Sequence, residues 1–578
     1  MATDHPTGRV LIIGGSLNGL TTALLLAHHG VSCTVVERHP ATTVQYKFAG
    51  ISPRSMEIFR SLGIEDEIRA RKTGDQKSGQ IARAKNLADP DVQFMGLPWA
   101  GTSDFSATTA ETCDQDRLEP ILRAHAEQLG ADARFGTELV ALEAGETEVR
   151  ARVRELATGR EETITAAYAI AADGTGGRTY ERLGLARRGP GVLQHWMNLI
   201  FRTDLTPVLA GRKITSSFVT DVNGSIVPRE DRWLLAVQYQ PERGERPSDF
   251  DQARTAELVR KAAGRDDVQV ELFDARSWDV AAYTLERFRK GRVFFVGDAA
   301  HAMPPTGGFG GNTGIHDAHN LAWKLALVLA GKADPALLDT YDTERRFVAE
   351  RTLGQSLARL AAWFKDTGNR LPPPEPIADD LAVTFGPRYP AGALVPDDND
   401  RDDAHNDAVG DTPAGAAPVA DSAPVAAAAD APATPASAFE DPRTPSGRPG
   451  IRAPHFELQH GQKRMPIHDA FNKAFTLLVG AQGHGWADAA HAVARQRGLE
   501  LPVIRIHERA EQRSEGRAEG DIDATDVDRR FAKTYGVTDT GAVLVRPDGI
   551  VAWRSRAAVA DPTSALAAAL TTILGARA

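Results

Sequence analysis

Cysteine is nearly missing from this chain: 578 residues carry two, Cys33 and Cys113. Two thiols cannot build a disulfide framework, so the fold must rest on buried apolar surface, and a reducing compartment is expected. Both thiols read as structural or incidental. Long apolar runs are missing too. No stretch approaches the roughly 18 residues needed to cross a bilayer. The start, Met1-Ala-Thr-Asp-His-Pro-Thr-Gly8, has neither the basic residues nor the apolar core of a secretory signal. The expectation is a cytoplasmic protein with no membrane partner. Basic charge is not in excess either, and a net charge of −10 argues against nucleic acid as a partner. Metal-ligand spacing is thin: His316 and His319 lie three apart on one helix with no evident third ligand, so no metal is expected.

A stretch almost without aromatic residues divides the chain. From about 398 to 446 the composition is Ala, Pro, Asp and Ser, which buries too little apolar surface to offset its ordering entropy, and the prolines break any Ala helix. A flexible linker over 396–448 is predicted. The length around it exceeds one core, and about three folding units are expected.

What is present is concentrated in glycine-rich junctions. The apolar run Arg292-Val-Phe-Phe-Val296 reads as a buried strand. Gly297-Asp298 follows, then Met303-Pro304-Pro305-Thr306-Gly307-Gly308-Phe309-Gly310-Gly311-Asn312-Thr313-Gly314, read as a loop feeding a helix from Ile315 to Ala330. Such a loop brings backbone N–H groups close to a ligand and aims a helix N-terminus at it. Near the start, Arg9-Val-Leu-Ile-Ile13 reads as a strand, Gly14-Gly15-Ser16-Leu17-Asn18-Gly19 as a turn, and Leu20 to His29 as a helix. A second strand, Cys33-Thr-Val-Val36, ends in Glu37. That βαβ unit, with an acid roughly 20 residues past the glycines, suits a dinucleotide; Ser16 stands where the second fingerprint glycine belongs. A third apolar strand, from Tyr168, ends in Asp173-Gly174.

The three signatures in this order resemble the group A flavoprotein aromatic hydroxylases, the para-hydroxybenzoate and phenol hydroxylase family, most closely its aromatic polyketide branch. The run from Gly297 to Lys324 carries the likeness most specifically. Gly50-Ile-Ser-Pro-Arg-Ser-Met-Glu-Ile-Phe59 resembles the family's flavin-lining segment. Asp114-Gln-Asp-Arg-Leu-Glu-Pro-Ile-Leu122 resembles the helix whose Gln, here Gln115, touches the flavin side chain. The likeness covers roughly 8 to 385. It departs at the middle motif, where Gly177 replaces a Ser and Tyr180 an Arg, and at Lys47, which replaces an Arg and loses its bidentate fork.

The resemblance implies an α/β fold: a Rossmann-like FAD-binding domain in two parts, 1–181 and 284–395, and an antiparallel-sheet substrate domain, 182–283. After the linker, 449–578 resembles a thioredoxin-like module. It holds no cysteine, so it can do no dithiol chemistry, and its expected role is a packing or interface module, a homodimer contact being one such use. The implied cofactor is FAD, with NADPH or NADH and O2 as co-substrates and an aromatic small molecule as partner. The cofactor-binding set is Gly14, Ser16, Leu17, Asn18, Gly19, Glu37, Arg38, Lys47, Gln115, Asp173, Gly297, Asp298, Gly310, Gly311, Asn312 and Thr313. Arg54, Pro304 and Pro305 are the catalytic candidates, and His195, Phe218, Gln238 and Tyr239 the substrate candidates. The implied reaction is hydroxylation of a phenolic or polycyclic ring through a C4a-hydroperoxyflavin. Baeyer–Villiger oxygen insertion, or a flavin-binding scaffold without activity, remain alternatives on the same fold.

Overall fold

The computed structural model describes residues 8–45, 48–73, 80–94, 99, 101–229, 232–363, 375–397, 438–471, 473–508 and 521–575. Lys47 and most of the expected 396–448 linker lie outside the described residues. The chain forms two compact units, one of Met1–Gly331 with Arg345–Thr384, the other of Lys332–Glu344 with Phe385–Ala578.

The first unit holds two large sheets. One has the order Arg289–Lys290, Val293–Phe295, Tyr168–Ala171, Val10–Ile13, Cys33–Glu37, Asp132–Phe135. Its last five strands are parallel. A parallel sheet is covered on both faces, so its strands read as unbroken apolar runs, and all four residues of Val10–Ile13 are buried. The helix Leu17–His28 makes the crossover between Val10–Ile13 and Cys33–Glu37.

The second sheet has eight strands: His301–Ala302, Glu271–Leu285, Arg187–Arg202, Trp233–Tyr239, Gly224–Pro228, Ile214–Val219, Gln80–Ala84 and Gln93–Phe94. Ile214–Val219 and Trp233–Tyr239 lie within the expected substrate domain. The sheet also recruits Gln80–Ala84, Gln93–Phe94 and His301–Ala302 from outside the expected 182–283. Those pieces are short, and long-range backbone pairing rather than periodicity makes them strands. The helix Gln252–Ala263 covers one face, where Met197, Leu199, Phe201, Leu235 and Val237 pack with Val259.

The expected helix at Ile315 begins six residues earlier, as Phe309–Leu329. The glycines that read as loop are its first turns. Side chains from elsewhere fill the space theirs leave: a Cβ on Gly311 would meet the Phe48 ring at 2.5 Å, and one on Gly314 the Asn18 side chain at 2.4 Å.

The second unit is built on a seven-stranded sheet. Ile522–Asp526, Val503–His507 and Thr476–Gly480 run parallel, and Ala542–Val545 and Val551–Ser555 continue antiparallel, a thioredoxin-like arrangement. Its core joins Phe456, Leu478, Ile504, Tyr535 and Val543. The unit starts before residue 449. Arg554 Nη1 donates to the Ser446 carbonyl at 2.8 Å, and Arg554 also pairs with Asp397. A buried charge cluster ties in Lys332–Glu344: Arg546 Nη1 meets Glu344 Oε1 at 2.8 Å, and Arg546 Nε donates to Asp548 at 2.9 Å.

Candidate functional site

The first strand of the parallel sheet ends in a turn that tolerates no side chain. Gly14 has φ +106°, and a Cβ there would lie 2.3 Å from the Ala172 carbonyl. A Cβ on Gly19 would lie 1.9 Å from the Gly14 carbonyl. Ser16 starts the helix Leu17–His28 without capping it. Its hydroxyl turns away and donates to Glu119 Oε1 at 2.6 Å. The Leu17 N–H turns to the Glu119 carboxylate, and Ser16 caps neither Asn18 nor Gly19, whose first-turn N–H groups have the geometry of an anion site. Gln115 Nε2 donates to Ser16 Oγ at 2.9 Å and to Glu119 Oε1 at 2.7 Å. Burial pushes the Glu119 carboxyl up, against the hydrogen bonds from Gln115 and Ser16. Sequence reasoning missed Glu119, although it stands one helical turn after Gln115.

Glu37 closes the neighbouring strand end. Its Oε2 accepts from Gly15 N at 2.7 Å, and Oε1 from His39 N at 2.8 Å. Arg38 is exposed beside it.

The Gly-Asp junction is held from behind by a charge cluster that the motif did not reveal. Asp317 is fully buried; its Oδ2 accepts from Gly297 N at 3.1 Å and binds His301 Nε2 at 2.7 Å. Its Oδ1 accepts from Arg345 Nε at 2.8 Å. Burial opposes the Asp317 charge, but His301 and Arg345 outweigh it and bring the carboxyl down to about 2. His301 thus faces Asp317 and not the open side of the loop. Asp298 is exposed, and its carbonyl accepts from the Tyr283 hydroxyl at 3.0 Å. Gly297 takes φ +57°, and Asn18 fills the space between Gly297 and Gly314, its buried Oδ1 left without a partner.

Asp173 turns toward its own chain. Its Oδ2 accepts from Thr179 N at 3.1 Å and Thr179 Oγ1 at 2.8 Å. The carboxylate occupies the space of a side chain at Gly177, where a Cβ would come within 2.1 Å of Asp173 Cγ. Tyr180, the other departure from the family pattern, has the Arg187 guanidinium 4.1 Å from its ring, and Tyr283 has the same group at 4.1 Å.

Gly310, Gly311, Asn312 and Thr313 form the first turn of Phe309–Leu329. The Asn312 side chain is saturated within the protein. Its Oδ1 accepts from Ser52 N at 2.9 Å and Ser55 Oγ at 2.7 Å, and its Nδ2 donates to Gly50 O and Gly308 O. Only main-chain groups of this turn are left to meet a ligand. Pro304 is buried and Pro305 exposed just before it. Arg54 is buried, with Nη1 2.9 Å from Glu57 Oε2 in the same helix.

The eight-stranded sheet separates the four substrate candidates. Side chains alternate along a strand. His195 and Tyr239 fall on the face that carries Met197 and Val237, beneath the helix Gln252–Ala263. Tyr239 packs into that core, and His195 Nδ1 meets Asp279 at 2.8 Å. Their placement departs from the expectation, because a strand buried on both faces carries no polar marker of which face is which. Phe218 lies on the other face, in the row Phe218, Ser225, Ala236, Asn198. Gln238 stands opposite Trp196 on that face, its Oε1 accepting from Asn223 at 2.9 Å near the surface.

The other face centres on Trp196, Ala236, Val280, Leu193 and Trp278. Leu193 also belongs to a cluster with Met303, Leu353 and Leu357, so this apolar surface reaches the loop just before Pro304. Arg229 pairs with Asp114 at 2.7 Å, and Gln45 donates to Asp274; both contacts clamp the same face against the FAD-fingerprint half of the unit.

The residues fit a flavin dinucleotide. An uncapped helix start, an acid at the second strand end, an orphaned Asn18 Oδ1 and a glycine-lined helix turn are the donor and acceptor set that its phosphates, ribose and ring require. Known proteins agree. An FAD-binding domain family model matches residues 7–356, and an aromatic-ring hydroxylase C-terminal model matches 446–577. A 4-methyl-5-nitrocatechol 5-monooxygenase of a Burkholderia species is 36% identical over 98% of this chain and 97% of its own length. A tetracenomycin A2 monooxygenase-dioxygenase of Streptomyces glaucescens is 36% identical, covering 98% and 96%. The solved aklavinone-11 hydroxylase, crystallised with FAD and aklavinone, superposes with a TM-score of 0.84 at 33% identity, covering 99% of this chain and 100% of that one. The chain belongs to the FAD-binding aromatic-ring hydroxylases and is an FAD-dependent monooxygenase.

Proposed function

We propose that this enzyme uses NAD(P)H and O2 to hydroxylate a phenolic or polycyclic aromatic compound. The observation that carries the reading is the apolar sheet face around Trp196 and Trp278, continuous through Leu193 with Met303 beside the Gly-Asp loop. The relatives named for nitrocatechol, tetracenomycin and aklavinone support an aromatic substrate.

Each part of the chain has a task in this reading. Gly14, Ser16, Leu17, Asn18 and Gly19 bind the diphosphate; Glu37 and Arg38 take the adenosine end. Gln115, Lys47, Asp173 and Asp298 hold the polyol side, and the main chain of Gly310, Gly311, Asn312 and Thr313 meets the pyrimidine edge of the ring. When bound, FAD supplies the electron transfer from NAD(P)H and the activation of O2. The protein supplies dryness and position. Pro304 and Pro305 wall the ring edge, Arg54 braces its own helix through Glu57, and the tryptophan face keeps water from the reacting carbon.

The test is anaerobic mixing of the FAD-loaded enzyme with NADPH or NADH, followed by O2 and a panel of phenols, naphthoquinones and anthraquinones. Flavin bleaching and a product heavier by one oxygen are expected. A flavin that neither nucleotide reduces, or product lacking the added oxygen, overturns the proposal. The position of the new oxygen separates ring hydroxylation from insertion beside a ketone.

A further inference from the structure

Two amide side chains on this sheet face each accept one hydrogen bond and, among the described residues, donate none. Trp196 Nε1 donates to Gln194 Oε1 at 3.0 Å, and Trp278 Nε1 donates to Asn198 Oδ1 at 2.8 Å. An indole nitrogen can only donate, so both amides are locked with oxygen toward the tryptophan and NH2 away from it. Gln194 is 7% exposed and Asn198 8%. Among the described residues, neither NH2 has a hydrogen-bond partner. Both lie on the face that carries Trp196, whose ring centroid is 5.9 Å from that of Trp278 at an interplanar angle of 31°.

We propose that Gln194 and Asn198 are the specificity-determining donors for a planar, fused-ring aromatic substrate bearing oxygen acceptors at both ends, of the quinone or peri-hydroxyketone class. The inference rests on the reading of this face as the substrate wall. The two residues stand four apart on one strand, so their backbones are about 13 Å apart. That separation is more than one ring spans. The tryptophans between them supply the apolar surface for the rings.

The test uses the full-length, FAD-loaded enzyme and two probes, 1,8-dihydroxyanthraquinone and 4-nitrocatechol, with binding read from the flavin absorbance. Gln194→Glu and Asn198→Asp keep the oxygen that accepts from the indole and remove the donor. Gln194→Met and Asn198→Leu remove the donor in every protonation state. Each variant is expected to weaken the anthraquinone at least tenfold, with flavin content and melting temperature unchanged in the carboxylate pair. The single-ring probe is expected to respond to one of the two positions at most. Variants that bind the anthraquinone as tightly as the parent overturn this assignment alone. A parent enzyme that binds neither probe overturns the assignment together with the substrate-wall reading.

Discussion

Asp317→Asn is the substitution that asks most of this structure. The carboxylate is fully buried and receives Arg345 Nε at 2.8 Å, His301 Nε2 at 2.7 Å and Gly297 N at 3.1 Å. Asparagine keeps the shape but takes the negative charge from beside Arg345, and its NH2 must face a donor on one side or the other. Breaking a buried pair by removing one partner costs about 3–5 kcal/mol. For a unit of roughly 370 residues the unfolding entropy near the midpoint is about 0.8 kcal/mol/K, so the melting temperature should fall by about 4–6 °C. The loss should reach the cofactor as well, because the Gly297 amide bonded to Asp317 sets the Gly-Asp loop. Thermal melts of the flavin-free protein and flavin retention on gel filtration measure the two effects. A melting temperature within about 1 °C of the parent refutes the claim that this cluster supports the junction.

The same residue sets an acid limit. Its folded carboxyl titrates at about 2 against an ordinary 3.8, so its stabilising contribution, about 2 kcal/mol, is whole above 3.8 and lost as pH falls through 2. The melting difference between parent and Asp317→Asn should shrink between pH 4 and pH 2. Burial raises both thiols to about 12, with Asp132 adding to the effect at Cys33 and Asp114 at Cys113. The native protein should therefore stay inert to a disulfide titrant at pH 8 and react at both cysteines in guanidinium. Restoring the family's serine at Gly177 should displace the Asp173 carboxylate from Thr179 and cost about 1 kcal/mol. That penalty should vanish in an Asp173→Ala background, read as a double-mutant cycle in the melting temperature.

Much of the scaffold was legible because local chemistry and tertiary packing agree there. Val10–Ile13, Cys33–Glu37 and Tyr168–Ala171 are apolar runs ended by glycine or acid, and such runs suit a sheet buried on both faces. The start of Phe309–Leu329 was not legible. Its glycines have no helical preference of their own, and the turn is completed by Phe48, Leu17 and Asn18, which are distant in sequence. The partner that fixes the Gly-Asp loop was equally hidden, since Asp317 lies 20 residues past Gly297 inside what reads as an ordinary helix.

The eight-stranded sheet shows where sequence reading ends. Trp196, Trp278, Gln194 and Asn198 share one face, while His195 and Tyr239 go to the other side. Alternation alone established that neighbours along a strand point opposite ways. The helix Gln252–Ala263 then covered one side, and that packing decided which residues face the flavin-binding half. The glycine spacings and strand-ending acids determined that a dinucleotide cofactor binds here, because those features act within a few residues of one another. Which aromatic side chains share a face was decided only when distant strands paired, since two buried faces of one strand carry the same apolar code.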